Sequence, residues 1–295
     1  MEASRSAQAL LGGGGNMRRR HAINRAVEVS CWTAALLAVA VLAIVLVSIA
    51  LKGASEINLD FLTQNTSSFG VGGIGNALVG TGILIGLAAL MAIPVGILIA
   101  IYTSEFAGRR SGFVIRYVLD ILNGVPTIIT GIFVFALLVV GHQQSGWAGA
   151  VGLAIVMLPL VARSCHEVLT LVPGHVKEAG LALGASRWRT TLSVTVPTAL
   201  SGMITGALLA VARAVGETAP LLLVTSIYPD LLVTDPSQPL PNVTVTIFRY
   251  SETPDPVKHA QAWGAAFILI LFVLALSIVA RSLSARMRRR LGAAR

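Results

Sequence analysis

Two arginines stand inside long apolar runs of this chain, and each has a carboxylate four residues downstream: Arg163 with Glu167, and Arg213 with Glu217. An arginine at bilayer depth is costly unless it is paired or faces water. A spacing of four sets the acid on the same helix face, within pairing reach. Guanidinium forks match the oxygens of phosphate-like anions bidentately. Two such pairs would line a cavity that is nearly neutral when empty and able to hand a guanidinium to an oxyanion, weakly enough to let it go again. His166, one position before Glu167, belongs to the same candidate group. The competing reading makes both pairs struts that cross-link helices, and the residues by themselves leave the two readings open.

The elements that must hold these groups are membrane helices. Of 295 residues 55% are hydrophobic and 12% charged, with a mean hydropathy of +0.80, whereas a soluble domain carries about 25% charged residues. The apolar excess falls into segments near the roughly 20 residues that cross about 30 Å of hydrocarbon. Six spans are expected, at about 29–51, 74–103, 113–140, 147–169, 194–227 and 263–280, giving an all-α polytopic bundle. The first apolar run is too long for a signal-peptide core and lacks a small-residue cleavage site, so it reads as a retained helix. Pro94 and Pro126 interrupt the second and third spans, and Pro197, Gly216 and Pro220 give the overlong fifth span places to kink or break.

Charge bias sets the orientation. The two tails and the loops around Arg109 and Lys177 carry 17 of the 22 Lys and Arg residues, against Lys52, Arg249 and Lys258 on the other side. Both termini are therefore expected in the cytoplasm of a prokaryotic cell bounded by this plasma (inner) membrane. The net charge of +9 is explained by this topology signal, and no nucleic-acid partner is expected. Cys31 and Cys165 read as small buried hydrophobes, and the five scattered histidines offer no metal-like spacing, so neither metal nor cofactor is expected. Gly80, Gly86, Gly96, Gly131, Gly202 and Gly206 suit close helix approach. Trp147 and Trp263 sit at span ends as interface anchors. Asp120 reads as a capped or headgroup-level acid. The outer loop 228–261, with Val243-Thr244-Val245-Thr246-Ile247, could be a hairpin or an irregular cap.

Between the fourth and fifth spans, residues 177–189 mix charge with apolar side chains at helical spacing, and Leu181, Leu183 and Trp188 need a partner surface. Glu178-Ala179-Gly180, Gly184, Val194, Val196 and Pro197 resemble the EAA loop of ABC import permeases, E-A-A-x3-G-x9-I-x-L-P, at every spacing. Gly180 stands for the second alanine and valines for Ile and Leu. The resemblance implies that Glu178, Ala179, Gly180, Gly184 and Arg187 couple the chain to a separate ATPase. No G-x4-G-K-[ST] phosphate loop occurs in this chain, which is expected to be no enzyme.

Three further runs resemble the phosphate-specific permeases of the PstA/PstC type, nearest the PstA type. They are Asn76 to Thr81, Gly124 to Gly131, and Arg213-Ala214-Val215-Gly216-Glu217-Thr218-Ala219-Pro220. The resemblance covers about 72–281 and implies a five-helix MetI-like core with a coupling loop at 170–193. It is preceded by a cytoplasmic tail (1–28) and a first helix with outer loop (29–71), and followed by a basic tail (282–295). It further implies alternating access, and it favours the pathway reading of Arg163, His166, Glu167, Arg213 and Glu217. The partners it implies are a homologous PstC-like permease, a PstB-like ATPase dimer and an external PstS-like phosphate-binding protein, all assembled on the lipid bilayer. Rival readings are a permease for another oxyanion such as sulfate or molybdate, a membrane scaffold or sensor of phosphate status, and a passive anion channel.

Overall fold

A computed structural model describes residues 14–68, 70–225 and 230–292. Residues 1–13 of the N-terminal tail, residues 226–229 at the start of the outer loop and residues 293–295 of the basic tail lie outside the described residues. The contacts divide the chain into two units, Met1–Leu51 and Lys52–Arg295.

The first unit is carried by α1 (Gly14–Gly53). Its described side chains from Arg19 to Val47 are exposed on every face. Cys31 is among them, which corrects the expectation that this thiol is buried. A helix apolar all round satisfies its surface with lipid and needs no packed stripe.

In the second unit, a short turn and α2 (Leu59–Thr63) lead into α3 (Gly75–Ile101), which runs on as a π turn over Tyr102–Phe106. Next come α4 (Arg109–Gly124), then α5 (Thr127–Val134), extended by a π turn at Phe135–Val139. After α6 (Gly146–Thr170) lie α7 (Gly174–Ala182) and α8 (Arg187–Thr190), whose π turn Thr191–Thr195 feeds α9 (Val196–Val215). The chain closes with α10 (Ala219–Val224), α11 (Val243–Glu252) and α12 (Pro256–Gly292). All regular structure among the described residues is helical. Among the described residues five helices are long and apolar enough to cross a membrane, and a sixth span results if α4 and α5 are taken together.

That pair departs from the kinked third span expected from Pro126. Its axis turns by 95° between Arg109–Gly124 and Thr127–Val139. Proline has no N–H for the helix ladder and drives its predecessor out of the α region. Val125 accordingly sits at φ −68°, ψ 129°. The fifth span breaks where Gly216 and Pro220 suggested: α9 ends at Val215 and α10 restarts at Ala219 with Pro220 in its first turn.

Packing runs α3 to α6, α6 to α9, and α9 to α12. One buried cluster joins Leu84, Ala88 and Ala92 of α3 to Leu153 and Met157 of α6 and Val215 of α9. A second, nearer the α7–α8 loop, joins Ala100 to Val161, Cys165 and Met203. Small residues let the backbones approach where hydrocarbon gives no hydrophobic drive. A Cβ on Gly96 would lie 2.8 Å from Val161, one on Gly206 2.7 Å from Ser164, and one on Gly131 2.7 Å from the Cα of Pro220; Gly202 is closed by Val168 and Gly80 by the carbonyl of Pro241. Gly86 does not share this role, because it lies on the outward side of α3 with open space around it.

The outer segment forms neither hairpin nor irregular cap around Val243. It forms α11, because Asn242 caps the helix: its Oδ1 accepts from the backbone N–H of Val245 at 2.9 Å and from the Thr244 hydroxyl at 3.0 Å. The Asn242 amide donates to Thr225 at 3.0 Å, and the N–H of Val243 donates to Thr81 at 2.9 Å. These tertiary bonds override the strand propensity of the alternating Val and Thr. Asn242 is 2% exposed, so its sequon is a structural cap. Asn242→Ala removes the cap and the side-chain bonds to Thr225 and Thr244, which costs about 2 kcal/mol. A clear fall in apparent melting temperature in detergent is the expected outcome.

Candidate functional site

Arg163 lies on α6, two turns before its end at the α7–α8 loop, and it meets two carboxylates. Its Nη1 donates to Asp120 Oδ1 at 2.8 Å and its Nε to Glu167 Oε1 at 3.2 Å. The Glu167 contact is the pair expected from spacing, whereas Asp120 arrives from α4 and is the shorter contact. His166 Nδ1 lies 3.0 Å from the Thr103 hydroxyl, which also lies 2.8 Å from the carbonyl of Ile99. A hydroxyl carries one proton, so both contacts are satisfied when Thr103 donates to Ile99 and accepts from His166 Nδ1–H. Thr103 reaches this position from the π turn that ends the α3 span, a local geometry often found at functional sites.

These groups enclose a cavity of about 140 Å³ lined by Thr103, Arg116, Leu119, Asp120, Arg163, His166 and Glu167. It holds two guanidiniums, two carboxylates and an imidazole. Arg116, Asp120 and Thr103 were missed as site residues in the sequence. Arg116 and Asp120 nonetheless carry the same spacing of four that marked Arg163 and Glu167.

Arg213 and Glu217 lie outside this cavity. Their Nε and Oε1 are 3.8 Å apart, with Glu217 only 15% exposed and Arg213 58%. The backbone carbonyl of Glu217 accepts from the Thr244 hydroxyl of α11 at 3.0 Å. Gly206 of α9 abuts Ser164, the neighbour of Arg163. Arg213 therefore lies seven residues, or about 10 Å of helix rise, farther from the α7–α8 loop. Among the described residues the two guanidiniums occupy two depths, and the cavity at Arg163 does not include Arg213. Arg163, at 56%, is exposed to a degree similar to Arg213.

At the loop end, α7 buries no residue, and Glu178 and Ala179 are exposed. Gly180 faces Thr190, whose Cγ2 would lie 2.8 Å from an added Cβ. Gly184 turns the chain from α7 towards α8 at φ +81°, a conformation glycine adopts without steric cost. The loop is anchored on the π turn after α3. Lys177 Nζ donates to Glu105 Oε1 at 2.6 Å, Arg187 Nη2 donates to the Glu105 carbonyl at 2.6 Å, and Trp188 stacks at a tilt on Phe106 with 5.6 Å between centroids. Leu183 remains 90% exposed.

Residues 92–291 match the family described as the inner membrane component of binding-protein-dependent transport systems. The chain is 38% identical to the phosphate transport system permease protein PstA of Yersinia pestis, over 82% of this chain and 83% of that protein. It is 39% identical to the PstA of Haemophilus influenzae (80% and 85% covered) and 36% identical to that of Xylella fastidiosa strain Temecula1 (91% and 95%). Two solved structures share the fold. One is a MetNI methionine ABC transporter in an inward-facing conformation, with a TM-score of 0.56, 18% identity, and 72% of this chain and 94% of that chain covered. The other is a bacterial alginate ABC transporter in complex with a periplasmic protein that holds an alginate pentasaccharide, at 0.61, 14%, 82% and 87%. A family of this kind works with an ATPase and a substrate-binding protein, and its permease is a non-catalytic, multi-span membrane subunit. The chain belongs to the binding-protein-dependent transport system inner membrane component family, among its PstA permeases.

Proposed function

We propose that this chain is the permease subunit of an ATP-driven importer of inorganic phosphate. The observation that carries the reading is an intramembrane guanidinium, Arg163, held by two carboxylates at the wall of a cavity with a second guanidinium in it. A strut needs one counter-charge. Two acids on one arginine, beside room for a small anion, suit a group that is released to a ligand and recaptured. The curated relatives above bear the name of phosphate transport permeases over most of both chains.

Both termini lie in the cytoplasm, as the Lys and Arg distribution indicates, and the α7–α8 loop is then cytoplasmic. An incoming phosphate meets Arg213 first and Arg163 about 10 Å later. Since both side chains are more than half exposed in this chain, the route runs along the face that a homologous PstC-like permease completes. The acids Glu167 and Glu217 hold the arginines between transport events, and His166 lines the cavity beside Arg163. A PstS-like phosphate-binding protein delivers the ion from outside, and a PstB-like ATPase dimer hydrolyses ATP and grips the loop through Glu178, Ala179, Gly180, Gly184 and Arg187.

Coupling runs through the π turn Tyr102–Phe106. Within five residues it carries Thr103, on the cavity, and Glu105 and Phe106, on the loop. Motion of the loop is thereby transmitted to His166 and its neighbours along one short, continuous segment.

Three outcomes test this reading. Arg213→Gln assembles with its partners in the membrane yet loses phosphate uptake by roughly tenfold or more, the share of a charged hydrogen bond; labelled-phosphate uptake near the wild-type rate would remove Arg213 from the route. Gly184→Asp forces a side chain into the left-handed region, at about 1–2 kcal/mol, and sets a carboxylate at the loop tip. Co-purification of the ATPase falls. Glu105→Gln keeps the ATPase bound but lowers phosphate moved per ATP hydrolysed, measured by paired uptake and hydrolysis in proteoliposomes.

A further inference from the structure

Of the two acids on Arg163, one is redundant for pairing alone. Arg163 already has Glu167 on its own helix, at the spacing that pairs them, yet its shortest contact is Asp120 on another helix. One turn before Asp120, Arg116 lines the same cavity and meets no carboxylate at ion-pairing distance among the described residues. The arginine with no partner and the acid bonded elsewhere are thus four apart on one helix. Arg116 is a resting place that Asp120 can reach by side-chain rotation alone. The order Arg then Asp is the weaker orientation of such a pair, which suits a position occupied in transit.

We propose that Asp120 is a gate ligand of an inner oxyanion site, exchanging between Arg163 and Arg116, with phosphate taking the edge of Arg163 that Asp120 vacates. In one state the Asp120 carboxylate occupies Nη1 of Arg163 and ties α4 to α6. In the other it pairs with Arg116 along α4, and Arg163 offers that edge to a tetrahedral oxyanion while Glu167 keeps its hold on Nε. Asp120 and Arg163 each keep a partner in both states, and Arg116 alone waits unpaired at the exposed cavity wall until Asp120 reaches it. The volume of about 140 Å³ is several times that needed for one water, enough for an anion of five heavy atoms. The tie also holds the one helix set off by the 95° break. Releasing Arg163 therefore loosens α4 at the moment the anion arrives. Asp120 is a positioning residue in this scheme: it acts on phosphate through Arg163.

The inference rests on the phosphate-permease reading, and its test separates the two. The complete importer, purified in detergent, is equilibrated with labelled inorganic phosphate in the absence of its binding protein, and the same preparations are assayed for uptake in proteoliposomes. Asp120→Asn removes the competitor, so retained phosphate rises by roughly tenfold, the scale of one charge-assisted contact, while uptake falls because release is slowed. Arg116→Gln removes the resting place, so Asp120 stays on Arg163 and retained phosphate drops. The double variant behaves as Asp120→Asn, because Arg116 acts only through Asp120. Asp120→Glu, which keeps the carboxylate, retains more uptake than Asp120→Asn. Retention unchanged or lowered in Asp120→Asn, or unchanged in Arg116→Gln, overturns the gate; should Asp120→Asn not assemble, Arg116→Gln, which breaks no ion pair, decides alone. Arg163→Gln is the control for the reading beneath. Wild-type uptake in that variant overturns the pathway role of Arg163 itself, whereas lost uptake there with unaltered Asp120 and Arg116 variants overturns the gate only.

Discussion

A guanidinium inside an apolar bundle is the constraint from which the rest of this structure can be followed. Its charge has to be met by protein or water, since lipid offers nothing in return. At Arg163 the demand is met twice, by Glu167 along α6 and by Asp120 across from α4. At Arg213 it is met at a looser 3.8 Å by a single, largely covered Glu217. The two sites differ in the tightness of their pairing and in depth.

Much of the surrounding fold can be read as the means of bringing those groups to their places. The Pro126 break frees α4 from the line of its span and lets Asp120 reach α6. Glycines at 96 and 206 draw α3 and α9 against α6. The π turn after α3 aims Thr103 inward and Glu105 towards the loop. Gly131 and Pro220 belong to two different family-like motifs and meet face to face, so those runs are matched surfaces as much as separate signatures. Asn76 and Thr81, from the third motif, do similar work at the other end: Asn76 accepts from the N–H of Thr66 at 2.8 Å and Thr81 receives the N–H of Val243.

The α7–α8 loop has two unlike sides. One side is tied to this chain, with Lys177, Arg187 and Trp188 engaged on Glu105 and Phe106. Its outer side, with Glu178, Ala179 and Leu183, is exposed among the described residues. A loop tied firmly to the end of a span, and open on its far side, is mechanically suited to pass on a push.

The sequence by itself determined the membrane as solvent, the helical class, the spans and the break at Gly216. It also gave the two Arg–Glu pairs and the helical character of the loop between the fourth and fifth spans. Each follows from composition, from the 3.6-residue period or from a motif a few residues long, and such local signals survive without any knowledge of the fold. Only the tertiary structure decided that Asp120 meets Arg163 across 43 positions of chain, that Glu105 receives Lys177 across 72, and that Thr244 bonds to Glu217 across 27. It also decided that the alternating stretch at Val243 is a helix, and that the two arginines lie at separate depths. The physical reason is the same in each case. Pairing of ions and hydrogen-bonding groups depends on which helix faces which and at what height, and those are set by small residues and breaks distributed over the whole bundle, which no window of sequence contains.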